Sequence, residues 1–116
     1  MLECLTTHRR VVYHSNMKAL LLLDERHIVD DAAFVELRVW RVPRPVEGSR
    51  HDLKYALAFV VAGHCELRYD NEAGKGDHRH VGDRQSHYRF TTPDRLLADF
   101  WADVRAWRLD QTGRLA

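Results

Sequence analysis

Residues 54–69 read KYALAFVVAGHCELRY, and this stretch decides the fold. Its first half, up to Val61, is apolar at nearly every position, which is typical of a strand covered on both faces. Ala62 and Gly63 then form a two-residue connection, because glycine readily adopts the positive φ that such turns need. Apolar and charged side chains alternate after the turn. The stretch therefore predicts a β-hairpin within an antiparallel sheet.

Further strands precede the hairpin and a helix follows it. The run Ala19–Leu23 is wholly apolar, and Phe34–Val42 alternates apolar with charged residues as a half-solvated strand does. Residues 91–94 offer a threonine cap, a proline for the first helical position and an acid for the first turn. Apolar side chains then recur at spacings of three and four, which is the pattern of an amphipathic helix: Leu96, Leu97, Phe100, Trp101, Val104 and Trp107. We therefore predict an α+β fold, an antiparallel sheet of about four strands with a C-terminal amphipathic helix packed on it.

The chain length and the pattern near the first residues define the domain prediction. A chain of 116 residues has room for one modest core. Met1–Asn16 matches neither the strand nor the helix period, and Met17 follows it directly. We expect residues 1–16 to be a dispensable leader that need not belong to the native protein, and residues 17–116 to form a single domain.

Composition restricts the function classes. Eighteen lysines and arginines nearly balance 17 acids, leaving a net charge of +1, so any argument for a nucleic-acid partner must be local. The two cysteines have no CxxC spacing, no apolar signal segment is visible, and Ala19–Leu23 is far shorter than the ~20 residues that span a bilayer. We expect a cytoplasmic protein without a membrane partner.

The unusual feature is the histidine content, which is eight in total. Residues 69–90 read YDNEAGKGDHRHVGDRQSHYRF, a stretch without apolar period that we predict to be a long loop or an irregular hairpin. His78 and His80 are two positions apart, so in an extended segment their side chains face the same way. Both lie outside the apolar pattern, and we expect them to contribute little to the core.

Imidazole titrates near neutral pH, so histidines suit RNA cleavage without a metal ion, which needs a base for the 2′-hydroxyl and an acid for the leaving oxygen. Lys75 lies between two glycines, which allow backbone amides to approach a phosphate. The predicted roles are catalysis by Asp77, His78 and His80, phosphate binding by Lys75, Arg79, Arg84 and Arg89, base stacking by Tyr88, and loop support by Asp70 and Glu72.

Two other interpretations of this stretch stay open. It can be a solvated hairpin with incidental histidines, because short motifs match by chance at a high rate. The histidine-x-histidine pair, together with Asp70, Glu72 or Asp77, can also supply a mixed nitrogen and oxygen shell for a metal ion. We expect no cofactor, since no helix-borne pair of ligands fixes the geometry.

The same stretch resembles the TumE family of toxins from type II toxin-antitoxin pairs. The resemblance covers most of residues 17–107. His87 departs from it, standing where the family pattern has a small residue or proline, and Met1–Asn16 is expected to lie outside the pattern. The matching segments are Lys54–Tyr55, Tyr69–Glu72, Gly74–His80, Tyr88–Phe90 and Leu96–Trp101.

The resemblance implies a growth-inhibiting toxin that acts on RNA and is silenced by a partner antitoxin. Combined with the histidine chemistry, it predicts a toxin that acts as a metal-independent endoribonuclease. The alternatives are a module that binds nucleic acid or protein and blocks a cellular machine without catalysis, or a small metal-dependent nuclease.

Overall fold

The structure, a computed structural model, describes residues 19–115, with side chains described as far as residue 111. The expected leader, Met1–Asn16, lies outside the described residues. Within them, one antiparallel sheet has its strands in sequence order from β1 to β6, and a helix follows. The elements are β1 (Leu20–Asp30), β2 (Ala33–Arg41), β3 (Leu53–Val61), β4 (His64–Asp70), β5 (His78–Val81), β6 (Arg84–His87) and α1 (Pro93–Leu115).

The α+β class, the antiparallel sheet and the C-terminal helix are confirmed, but the sheet has six strands rather than about four. The additional strands β5 and β6 lie in the stretch predicted to be a long loop. Their backbones pair with the preceding strand and with each other, although only Val81 among them is aliphatic. Gly82, with a φ of 58°, turns the chain between them.

The core lies between one face of the sheet and α1. Side chains from β2, β3 and β4 alternate onto this helix face and pack against Leu96, Phe100 and Val104 of α1. Helix α1 begins as predicted, because the hydroxyl oxygen of Thr92 accepts a hydrogen bond from the amide of Arg95 at 3.1 Å. The helix, the only one in the described part of the chain, is not apolar enough to cross a membrane.

The opposite face of the sheet is polar where β3, β4 and β5 meet. Strand alternation puts Lys54, Arg68, Asp70, His78 and His80 on this face. Asp70 is 0% exposed and His78 4%. We call this surface the histidine face.

Candidate functional site

The sheet register aligns the polar groups of the histidine face. His78 is paired with Asp70, and His80 is paired with Arg68 on the neighbouring strand. His78 Nε2 lies 2.8 Å from Asp70 Oδ1, Arg68 Nε lies 3.1 Å from Asp70 Oδ2, and Arg68 Nη2 lies 3.1 Å from His80 Nε2. These four residues form one connected group, the histidine cluster.

His78 is held from both sides. Its Nδ1 lies 2.9 Å from the carbonyl oxygen of Gly76, which only accepts hydrogen bonds, so Nδ1 carries a proton. Its Nε2 faces the Asp70 carboxylate. His78 was expected to lie in a loop, but it lies in β5, with a buried ring and both nitrogens engaged, on the face opposite the hydrophobic core.

His80 has a different environment, since it is only partly buried. An arginine guanidinium can only donate, so His80 Nε2 accepts the hydrogen bond from Arg68 and carries no proton. Desolvation, followed by the positive charge of Arg68, lowers the pKa of His80 below its ordinary value. His80 is therefore a neutral imidazole whose Nε2 lone pair accepts from Arg68, and Nε2 can take a proton only after that hydrogen bond opens.

The cluster also bears on metal binding. Asp70, His78 and His80 each offer a ligand atom, and these atoms lie within 4.8 Å of one another. A divalent cation with mixed nitrogen and oxygen ligands could be held there. However, the guanidinium of Arg68 already contacts Asp70 and His80 and so supplies a positive charge to two of the three ligands. The expectation of no cofactor stays a prediction.

Sequence reasoning missed two cations of this site, Arg68 and Lys54. Desolvation lowers the pKa of Lys54, and the negative charges of Asp70 and Glu72 partly oppose that shift. Alternation along β4 puts Arg68 on the same face as Asp70, so this residue could have been found. Its pairing with His80 could not, because that required recognising β5 as a strand.

Asp77 is not part of the histidine cluster. It accepts hydrogen bonds from Ser49 Oγ at 2.6 Å, from the Tyr55 hydroxyl at 2.8 Å and from His51 Nε2 at 2.7 Å. Desolvation would raise the pKa of Asp77, but the bonds from His51, Ser49 and Tyr55 bring it below its ordinary value. Asp77 thus connects the loop after β2 to β3, and the structure gives it no contact with either predicted catalytic histidine.

The residues predicted to bind phosphate are dispersed. Arg79 donates to Asp103 on α1 at 2.7 Å and, with Arg84, lines a cavity of about 430 Å³ away from the histidine cluster. Lys75 is exposed, with its Nζ 3.6 Å from Glu72 Oε2. Arg89 lines another cavity, described below.

The glycines beside Lys75 serve packing between loops. The amide of Gly74 donates to the carbonyl of Glu47 at 2.8 Å. A Cβ added at Gly48 would lie 2.7 Å from the nitrogen of Gly76, so the two loops touch backbone to backbone. These contacts explain the glycines without a bound phosphate.

Tyr88 and Asp70 are also placed differently from the predicted roles. The ring of Tyr88 is 8% exposed, packs against Tyr69 and donates its hydroxyl to Asp99 at 2.7 Å, so it presents no free face to a base. Asp70, predicted to support a loop, is instead the buried carboxylate of the histidine cluster. Glu72 is partly buried and contacts Lys75.

Together, the sheet, the single helix across it and the polar cluster on its other face define a small α+β protein with a candidate acid–base site. The chain matches the family model described as Toxin TumE over residues 2–108, and it belongs to that family. Membership assigns a toxin role and indicates an antitoxin partner. No solved structure matches the chain.

The extent of the match corrects one expectation. It begins at residue 2, so residues 2–16 are included, and the expectation that this segment lies outside the family pattern is wrong. Whether the segment is dispensable stays a prediction.

Proposed function

We propose that this toxin inhibits growth by cleaving RNA without a metal ion, with His80 as the general base. The observation that carries the proposal is the hydrogen bond from Arg68 to His80 Nε2. In this contact an unprotonated imidazole nitrogen lies next to a positive charge. When a 2′-hydroxyl attacks a phosphodiester, the first group can take the proton and the second can stabilise the charge on the phosphate.

The proposed reaction is an internal transfer at phosphorus. His80 Nε2 takes the proton of the 2′-hydroxyl, and the 2′ oxygen forms a bond to phosphorus. The bond from phosphorus to the 5′ oxygen breaks, and water protonates that oxygen, leaving a cyclic phosphate and a hydroxide ion. The hydroxide then takes the proton from His80, which restores the water and the neutral imidazole. Arg68, released from His80, contacts the phosphate and stabilises the charge that accumulates on it.

His78 and Asp70 act as positioning residues in this proposal. His78 is too buried to touch a substrate, but its contact with Asp70 Oδ1 fixes the carboxylate whose other oxygen contacts Arg68. The orientation of the guanidinium therefore depends on the buried pair. Lys54 adds a further positive charge on the same face.

The test is cleavage of single-stranded RNA by the purified protein and its variants. We expect His80→Ala to reduce the rate by a factor of ~10² to 10⁴, the usual contribution of a general base. His64→Ala is the matched control, because His64 is an exposed histidine at the first position of β4. RNA with 2′-O-methyl groups should resist cleavage. Unchanged cleavage by the His80 variant would contradict the proposal.

A metal-dependent nuclease is the second candidate, favoured by the spacing of the ligand atoms of Asp70, His78 and His80. We expect dialysis against a chelator to leave cleavage unchanged. About one metal ion per chain, with activity lost on removal and restored on addition, would instead assign these residues as ligands.

A non-catalytic binding module is the third candidate. It is favoured by the complete burial of Asp70 and the engagement of both His78 nitrogens, which suit a purely structural cluster. Growth inhibition that persists in His80→Ala, with no RNA cleavage by the wild-type protein, would favour this candidate.

A further inference from the structure

A second polar cavity lies between the loop after β2 and the segment after β6. Its volume is about 420 Å³. We call it the basic groove, and its lining residues include Arg50, His51, His87, Arg89 and Phe90. Arg50, His87 and Arg89 are exposed, and within the described part of the chain their side chains form no ion pair.

The base of the groove is held by hydrogen bonds and by ring stacking. The amide of Leu53 donates to His51 Nδ1 at 3.2 Å, so the proton of the ring is on Nε2, which donates to Asp77. The ring of Phe90 stacks on His51 with centroids 3.7 Å apart. A ligand would therefore meet a preorganised surface, which reduces the entropy lost on binding.

The charge of the groove favours an anion. Among the lining residues in the described part of the chain, Asp77 is the only carboxylate, and three donors already bind it. Arg50 and Arg89 supply two positive charges, which outnumber the single carboxylate of the described lining. Guanidinium groups bind phosphate strongly because two parallel N–H groups can contact two oxygens.

We propose that the basic groove binds the phosphate backbone of single-stranded RNA next to the cleavage site. This inference rests on the proposed function, since it extends the same substrate beyond the histidine cluster. His87, in the wall of the groove, is the register partner of His78, so the groove reaches the edge of the histidine face. A strand bound at His80 can continue past His87 towards Arg89.

RNA fits the groove better than an acidic peptide does. Arginines interleaved with a partly exposed aromatic ring, here Phe90, are the combination that single-stranded nucleic acids use, with phosphates on the cations and bases against the rings. An acidic peptide needs only the charges.

The test measures binding separately from cleavage. A fluorescent 2′-O-methyl RNA oligonucleotide, which the proposed reaction cannot cleave, is titrated with the wild-type protein, Arg50→Ala, Arg89→Ala and the control Arg105→Ala. Arg105 is an exposed arginine on α1, away from the groove. Each groove variant should bind several-fold more weakly and lower the slope of log affinity against log salt by about 0.7, the value of one contact to a single strand. The control should match the wild type.

The outcomes separate this inference from the proposed cleavage. Weaker binding confined to Arg50→Ala and Arg89→Ala supports the groove even if the wild-type protein cleaves no RNA. Equal RNA binding by all variants overturns the proposal that the basic groove binds RNA, even if RNA is cleaved. Absence of RNA binding, or binding of polyglutamate that both groove variants lose while RNA binding is unchanged, also overturns it.

Discussion

At the scale of single residues, Asp77 contributes to stability through the number of its partners. It is 5% exposed and accepts side-chain hydrogen bonds from Ser49, His51 and Tyr55, which lie 28, 26 and 22 positions away in sequence. Bonds to a charged acceptor contribute more than neutral ones, about 1.5 to 3 kcal/mol each. The carboxylate therefore joins the loop after β2, which holds Ser49 and His51, to Tyr55 of β3.

We predict that Asp77→Asn lowers the free energy of unfolding at pH 7 by about 2 to 4 kcal/mol. Because the pKa of Asp77 is lowered in the folded state, its contribution is present above the ordinary pKa of aspartate and is lost as pH falls through the folded pKa. The difference from wild type should therefore shrink in acid. Urea denaturation at neutral and acidic pH measures it, and Asp83→Asn, at an exposed turn position, is the control. A pH-independent difference would contradict the assignment.

His80 and Arg68 form the residue pair on which the proposed chemistry depends. We predict that the His80 imidazole titrates below the ordinary histidine value of about 6.5, because desolvation and the Arg68 charge both disfavour its protonation. Arg68→Gln should raise this pKa by removing the charge, and Arg105→Gln should leave it unchanged. Titration of the ring proton signals by NMR measures both. A wild-type midpoint above about 6.5 would contradict the neutral base.

At the scale of elements, the start of helix α1 is a feature that the local sequence predicts correctly. Thr92 accepts the hydrogen bond from the Arg95 amide, and Pro93 begins α1, as predicted.

We predict that Thr92→Ala lowers the free energy of unfolding by about 1 kcal/mol, since one amide of the first turn loses its partner. Thr91→Ala, at the exposed neighbouring threonine, should change it little. Thermal and urea denaturation give both values, and equal losses would remove the cap assignment.

Strands β5 and β6 could not be predicted from the local sequence pattern. The hairpin of β3 and β4 and the helix α1 have apolar patterns that could be predicted, because burial requires the periodicity. All four side chains of β6 are exposed, so no periodicity is needed there. Strand β5 forms by backbone pairing with β4, and β6 forms by backbone pairing with β5. These hydrogen bonds join main-chain groups, so they leave no pattern in side-chain polarity.

The extent of β1 could not be predicted for a related reason. Its apolar run ends at Leu23, yet β1 continues through Asp24 and Glu25 to Asp30. An edge strand tolerates exposed charges, and here they pair across to β2, as in the contact of Asp24 with Arg38. Charged residues therefore end a strand only where its side chains must be buried.

At the scale of the whole molecule, the site could be predicted only in part. The spacing of His78 and His80 places them on one face of an extended segment, and the structure has both on the histidine face with ring centroids 5.0 Å apart. Which carboxylate contacts the histidines could not be predicted, because both Asp70 and Asp77 precede His78 and His80 closely in the sequence. Cross-strand register, which joins β4 to β5, brings Asp70 to the cluster and leaves Asp77 on the other side of the sheet.

The fold also decides which histidine gives a clean test in cells. His78→Ala removes a buried ring from between Gly76 and Asp70 and leaves the buried carboxylate without one partner, so loss of toxicity in this variant could follow from unfolding. His80 is partly exposed, and its removal leaves the pair of Asp70 and Arg68 in place. His80→Ala is therefore the variant whose folding is expected to survive.

We predict that induced expression of the wild-type chain alone arrests growth, whereas His80→Ala at equal soluble level does not, because a loss of ~10² to 10⁴ in the rate of RNA cleavage leaves too little activity to deplete cellular RNA. His64→Ala should remain toxic. Growth curves with soluble protein quantified in each strain measure this, and circular dichroism of the purified variants checks their folding. Full toxicity of the His80 variant would remove His80 from the mechanism, and normal growth with the wild-type protein would contradict toxic action by the chain alone.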